Sequence, residues 1–223
     1  MNLCAIHQPN FFPWLGYFDK ISRADIFVFM DDVDYPKSGS GGMGSWSNRV
    51  KINVHGNAQW LGCPVNKKTG NNKIKDVLIS NDPKWRKKAL KTLQMNYAKS
   101  ENFPQAMDIL EPLILNPTSS LSAYNTHAII KISEALGLHT KFVWQSRLGT
   151  SHASTDVLIE ICKAVDANQY LAGSGAGGYQ DDDKIRASGI ELIYQNFKPE
   201  PYGETKSYVA GLSVIDYLMH QRF

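Results

Sequence analysis

Residues 7–51 read HQPNFFPWLGYFDKISRADIFVFMDDVDYPKSGSGGMGSWSNRVK, and their reading decides the fold. A short apolar run at 3–6 predicts a strand that delivers the chain to His7. Pro13 suits the first turn of a helix, and Trp14, Phe18 and Ile21 recur at spacings of four and three, which predicts a helix over 13–23 with an apolar stripe. Residues 26–30 predict a second strand that stops on Asp31 and Asp32. Polar groups thus gather where two strands end, and in open α/β sheets that edge is where ligands bind.

Working outward, the 38–45 stretch SGSGGMGS has no periodicity and reads as a glycine-rich loop able to act as a lid. Apolar alternation over 49–54 and 59–65 around His55, Gly56 and Asn57 predicts a hairpin turning at the glycine, with Asn48, Arg49 and Lys51 near its start. Asp82 and Pro83 open a helix in which Trp85, Ala89, Leu93 and Tyr97 repeat every four residues. Helices over 103–115 and 121–136 follow, the second capped by Ser119 or Ser120 and stopped by Gly137, so the middle of the chain, about 80–137, is helical.

The last third returns to alternation: a strand at 141–144, a helix at 155–165, a strand at 169–171, a glycine-rich turn at 173–178, a helix at 180–187 closed by Gly189, a strand at 190–194 and a short helix at 212–220. This order predicts an α/β fold with a parallel or mixed, Rossmann-like sheet and a helical middle region. No repeat or long linker divides the 223 residues, so one domain is expected.

Composition narrows the function classes. A net charge of +3 does not argue for a nucleic-acid partner, and no apolar run of about 18 residues exists to span a bilayer. The apolar start is short and is broken by His7, Gln8 and Pro9, which does not fit a signal peptide, so a cytoplasmic location is expected. Cys4, Cys63 and Cys162 are odd in number and lie in apolar surroundings, which predicts buried free thiols.

His7 is the candidate acid or base. Of Asp31 and Asp32, one is expected to face the ligand and the other to be structural. Arg49, with Asn48 and Lys51, offers a planar fork and a point charge for phosphate or carboxylate. Gly173, Ser174, Gly175 and Tyr179 belong to a glycine turn between a strand and a helix that could expose amides to a diphosphate, although Asp181, Asp182 and Asp183 at the helix start would repel an anion placed too close. No further carboxylate or histidine stands at a metal-ligand spacing, so no tightly bound metal is expected, and the cofactor is unknown. Residues 67–99 carry ten Lys or Arg against two Asp. Within them Lys84, Arg86, Lys87, Lys88 and Lys91 would attract an anionic partner such as an acidic acyl carrier, if they are more than a solvated face.

The motifs HQPNFFPWLGYFDKI, ADIFVFMDDVDY, SNRVKI, YLAGSGAGGY and GLSVIDYL, in this order over nearly the whole chain, resemble the WbqC-like family. By this likeness His7, Gln8, Trp14, Gly16, Tyr17, Asp32, Asn48, Arg49, Gly173 and Tyr179 match motif positions. The chain departs from the family pattern in the 38–45 stretch and in ending soon after His220. The resemblance implies a role in bacterial surface-polysaccharide (O-antigen) biosynthesis, with acyl or aminoacyl transfer to a nucleotide-linked amino sugar. His7 would be the base, Asp32 would orient the amine or His7, and Arg49 would hold phosphate or developing charge in the same cavity. Gln8, Trp14, Tyr17, Asp31, Asn48 and Lys51 would bind substrate. The opening unit also resembles, more distantly, the HIGH-type nucleotidyltransferases, although Tyr17 stands where their second histidine would be. A non-catalytic nucleotide-sugar or carbohydrate binding protein is the remaining alternative.

Overall fold

The computed structural model describes residues 2–36, 45–66, 72–173, 175, 178, 180–203 and 208–221. The chain forms two compact units. The first comprises Met1–Gln8, Gly16–Asp32 and Leu138–Lys198, and the second Pro9–Leu15, Val33–Gly137 and Pro199–Phe223. The helical segment expected over 80–137 falls in the second.

The first unit is built on five parallel strands, β1 (Leu3–His7), β2 (Ile26–Phe29), β5 (Lys141–Trp144), β6 (Gln169–Ala172) and β7 (Glu191–Tyr194), in the order β5-β2-β1-β6-β7. A parallel sheet is covered on both faces, and β2 accordingly is IFVF with every residue buried. Alternation divides the interior in two. Phe27 and Phe29 meet Phe142, Trp144 and, from α1 (Leu15–Arg23), Tyr17, with ring centroids 5.2 to 6.2 Å apart. Cys4, Ile6, Ile26 and Val28 face the other way and pack with Val157, Ile161 and Cys162 of α5 (Ser154–Ala164) and Ile185 of α6 (Asp182–Ala187). All three cysteines are free and buried. Contact with the Cys162 thiol, reinforced by burial, pushes the Cys4 thiol far up, and burial raises that of Cys63 to about 12.

The buried face of α1 includes a residue that periodicity alone assigns to solvent. Lys20 is 3% exposed and its Nζ donates to the Ile6 carbonyl at 2.9 Å. Desolvation lowers its pKa from 10.5 to about 8, against a smaller opposing pull from Cys4.

The second unit holds the hairpin of β3 (Arg49–Val54) and β4 (Asn57–Gly62) and the helices α2 (Lys84–Tyr97), α3 (Phe103–Leu115), α4 (Leu121–Ala135) and α7 (Val214–His220). His55 and Gly56 both take positive φ, 52° and 79°, as a two-residue hairpin turn with strand-matched twist requires. The second hairpin strand starts earlier than alternation suggests and stops at Gly62, while Val65 bridges to Ile79 instead. Ser120 Oγ accepts from Ala123 N to cap α4, and α2 buries Trp85, Ala89, Leu93 and Tyr97. Asn125 of α4 donates to the carbonyls of Pro9 and Ser47, and Ser213 Oγ donates to Phe12 O, so HQPNFFPW and GLSVIDYL are tied together in space. Asp216 is buried and accepts from the hydroxyls of Tyr97 and Tyr202, whose own ionisation is pushed up chiefly by burial.

Lys20 gives the fold a pH signature. A lysine whose folded pKa lies below its unfolded value binds fewer protons in the folded state between about pH 8 and 10.5, so this group makes stability rise through that window. The raised Cys4 and Cys63 thiols oppose it above about pH 9, so the signature is read as a difference: between about pH 8 and 10.5 the parent should gain on the order of 2–3 kcal/mol relative to Lys20→Met in denaturant unfolding. An unchanged slope in the variant would assign the gain to other groups.

Candidate functional site

Read outward from β1, the strands run β1-β2-β5 to one side and β1-β6-β7 to the other. The order reverses between β1 and β6, the switch point at which doubly wound sheets bind ligands beyond the carboxyl ends of their strands. β1 pairs Leu3 with Gln169 and Ala5 with Leu171, so extending the register sets His7 level with Gly173. On its other edge His7 pairs with Phe29, two residues before Asp31. The end of β1 therefore gathers His7, Gln8, Asp31, Asp32 and the start of the glycine turn within the first unit.

His7 Nδ1 lies 3.1 Å from the Gln8 carbonyl oxygen, which also accepts from Tyr17 Oη at 2.9 Å. A carbonyl only accepts, so Nδ1 carries the proton and Nε2 keeps its lone pair. The Tyr17 ring flanks the imidazole at 4.7 Å between centroids. Desolvation first, and the Lys20 ammonium second, lower the His7 pKa from 6.5 to about 3, with the Gln8 bond opposing. The ring is neutral at physiological pH: a hydrogen-bond acceptor at Nε2 and a weak base until a negative charge arrives beside it.

The two aspartates divide as their pairing with β5 dictates. Phe29 is level with Trp144, which brings Asp31 to Ser146: Oδ1 accepts from Ser146 N at 2.9 Å and Oδ2 from Ser146 Oγ at 2.8 Å. Asp31 is 3% exposed and anchors the strand ends. Asp32 is more accessible, and its backbone N–H donates to Gln145 Oε1 at 3.3 Å while Gln145 Nε2 reaches Thr150 Oγ1 at 3.2 Å. Gln145 and Ser146 carry no motif of their own. Their signal in the sequence is only that they follow a strand adjacent to β2.

A Cβ built at Gly173 or Gly178 meets nothing within 4 Å. Packing of the protein on itself therefore does not demand glycine there. Ser174 and Tyr179 lie outside the described residues, as does all of the 38–45 stretch except Ser45. The acidic run is accounted for: Asp181 caps α6 by accepting from Lys184 N, and Asp182 accepts from Tyr194 Oη and Gln180 Nε2. Gln195 is buried, and its Nε2 donates to Gly16 O and Asp19 Oδ2.

Trp14, Asn48, Arg49 and Lys51 belong to the second unit. Trp14 bridges to Ser213. Asn48 pins the turn before β3: Oδ1 accepts from Tyr35 Oη and Ser45 N, and Nδ2 donates to Cys63 O. The Arg49 guanidinium lies 4.1 Å from the centroid of Trp60. Among the described residues no group of three or more His, Cys, Asp or Glu is placed to hold a metal, and no helix is long and apolar enough to cross a membrane.

A doubly wound α/β unit with a histidine at its switch point, together with a second unit of helices and a hairpin, is the class this chain defines. The chain belongs to the WbqC-like protein family, which is matched over residues 8–223. It is similar to the uncharacterized protein Rv1507c of Mycobacterium tuberculosis (strain ATCC 25618 / H37Rv), 29% identical over 228 residues that cover 99% of this chain and 94% of that protein. No solved structure shows a significant match.

The division between the aspartates predicts different variant phenotypes. Asp31→Ala strips both acceptors from Ser146 and should cost about 2–3 kcal/mol in denaturant unfolding. Asp32→Asn should cost much less. Equal losses would contradict the assignment of Asp31 as the anchor.

Proposed function

We propose that this protein is an enzyme of bacterial surface-polysaccharide biosynthesis that transfers an acyl or aminoacyl group to the amine of a nucleotide-linked amino sugar. The observation that carries this reading is the neutral His7 at the switch point, with its proton fixed on Nδ1 and the lone pair of Nε2 left over. Family membership supplies the polysaccharide setting as an expectation.

In this reading the free amine attacks the carbonyl carbon of an activated acyl ester or thioester. A C–N bond forms, and the tetrahedral adduct bears an acidic N–H. His7 Nε2 accepts that proton and returns it to the departing oxygen or sulfur, so protons and electrons balance. With a pKa of about 3 the imidazole is a weak base for this proton, and a diphosphate bound nearby would raise it towards the operating pH. Asp32 orients the incoming amine, and Gln8 and the glycine turn from Gly173 contact the substrate.

A second reading, ATP-dependent activation of a carboxylate followed by amide formation, is favoured by the strand order, which is that of nucleotide-binding doubly wound sheets. One experiment separates them. Purified protein is given a uridine-diphosphate amino sugar with acyl or aminoacyl donors, or with a free acid and ATP, and the sugar's mass is followed. A mass gain with activated donors, reduced at least a hundredfold by His7→Ala, is the expected result. A gain only with ATP, accompanied by pyrophosphate, selects the second reading. An unaltered sugar throughout contradicts both.

A further inference from the structure

The outer face of the β3–β4 hairpin carries an arrangement that the chemistry above does not use. Strand alternation puts Val50, Ile52 and Leu61 on the buried face, each at most 7% exposed. The opposite face carries Arg49 and Lys51 from β3 and Trp60 from β4, with Lys51 paired directly across from Trp60 and Arg49 across from Gly62. Glycine at 62 leaves the stem of Arg49 room to lie against the strand, its Cβ being 3.4 Å from where a Gly62 side chain would begin. Trp46, from the turn that leads into β3, meets Trp60 with ring centroids 5.3 Å apart.

Trp46 and Trp60 are the most exposed of the five tryptophans, at 52% and 44%. The two rings are tilted 57° to each other, so they form an open aromatic angle at the surface rather than core. Two cations flank it, with the Arg49 guanidinium 4.1 Å and Lys51 Nζ 5.2 Å from the Trp60 centroid. Among the described residues neither cation has a carboxylate within ion-pair distance. Among the described residues Arg49 Nε is buried with no hydrogen-bond partner, as are Ser47 Oγ just before it and Oδ1 of Asn125, the residue that bonds to the Ser47 carbonyl. The sequence around the hairpin is equally one-sided: residues 35–75 contain seven Lys or Arg and no Asp or Glu.

We infer that this hairpin face is a nucleotide-recognition surface: a nucleobase enters the angle between Trp46 and Trp60 and stacks on one ring with the other at its edge, and the attached diphosphate is bound by Arg49 and Lys51. Every base has a flat π-face for an aromatic platform, and a planar guanidinium fork matches phosphate oxygens. A neutral sugar would use the rings and leave both cations without a counter-charge. Inorganic pyrophosphate would use the cations and leave the rings bare. The inference concerns the second unit alone and names a nucleoside diphosphate as the ligand of this face. It rests on the proposed function only in the choice of nucleotide.

The test is calorimetric titration of the full chain with uridine diphosphate, uridine, inorganic pyrophosphate and a thymidine oligonucleotide. Uridine diphosphate should bind with one site per chain, more tightly than uridine or pyrophosphate by about tenfold or more. Trp60→Ala should weaken it by roughly tenfold or more, the range stacking commonly supplies, and Arg49→Lys should weaken it while keeping the charge. Trp60 is exposed, so its variant should melt like the parent, and Trp46→Ala gives an independent second readout if it does not. Pyrophosphate binding as well as uridine diphosphate, indifference of binding to both tryptophan variants, or binding of the oligonucleotide alone would each overturn the inference. Uridine diphosphate binding lost in Trp60→Ala, without any acyl transfer, would leave this surface standing and remove the proposed reaction. Turnover with an unchanged KM in Trp60→Ala would do the reverse.

Discussion

Parallel pairing of β1 on both edges is the constraint on which the first unit depends. The five residues Leu3–His7 are held by β2 on one side and, through residues more than 160 positions later, by β6 on the other. A one-residue slip would turn Cys4 and Ile6 away from α5 and send Ala5 into their place, exchanging the two halves of the interior. It would also move His7 out of line with Gly173 and Phe29. The fully buried apolar run of β2 and the aromatic packing of Phe27 and Phe29 against Phe142 and Trp144 make that slip expensive. The position of the imidazole is thus set by packing that has no chemical role.

Desolvation then decides the chemistry of that position. Lys20 sits under the end of β1 with its ammonium on the Ile6 carbonyl, and it adds to burial in holding His7 neutral. The Gln8 carbonyl takes two donors, His7 Nδ1 and Tyr17 Oη, and so orients the ring. Tyr17, a substrate-binding candidate from the sequence, is 1% exposed and engages the ring rather than solvent. A neutral, oriented imidazole whose Nε2 has no hydrogen-bond partner among the described residues follows from these contacts, and a negatively charged ligand beside it would raise its basicity.

Much of the fold was legible because it rests on local signals. The period of α2, the caps of α4 and the strand-like runs of β1 and β2 all depend on neighbours within a few residues. The all-parallel pairing and the strand order were not written locally, because each is a contact between segments far apart in sequence. For the site, the residues alone suggest one structural and one ligand-facing aspartate, and the sequence reading gives both Asp32 and Asp31 substrate roles, of which that of Asp31 does not fit a buried carboxylate bonded to Ser146. The choice of Asp31 as anchor depends on Ser146, 115 residues away. Lys20 was hidden for a related reason: a lysine on a helix looks solvated until a carbonyl is found within 2.9 Å of it. Ser213 and Asp216 lie in the GLSVIDYL motif, but their bonds to Phe12 and Tyr97, like that of Asn125 to Ser47, join residues 78 to 201 positions apart and are not written locally.

The central claim is the protonation state of one ring among six histidines. Long-range proton–nitrogen spectra of the 15N-histidine protein, recorded from about pH 5 to about pH 8 and assigned with His7→Gln, observe it directly. The account predicts a His7 ring that stays neutral across the range, with the proton on Nδ1, and an Nε2 resonance that moves when a nucleotide-linked amino sugar is added. A His7 that titrates near its ordinary value of 6.5, or carries its proton on Nε2, would contradict it.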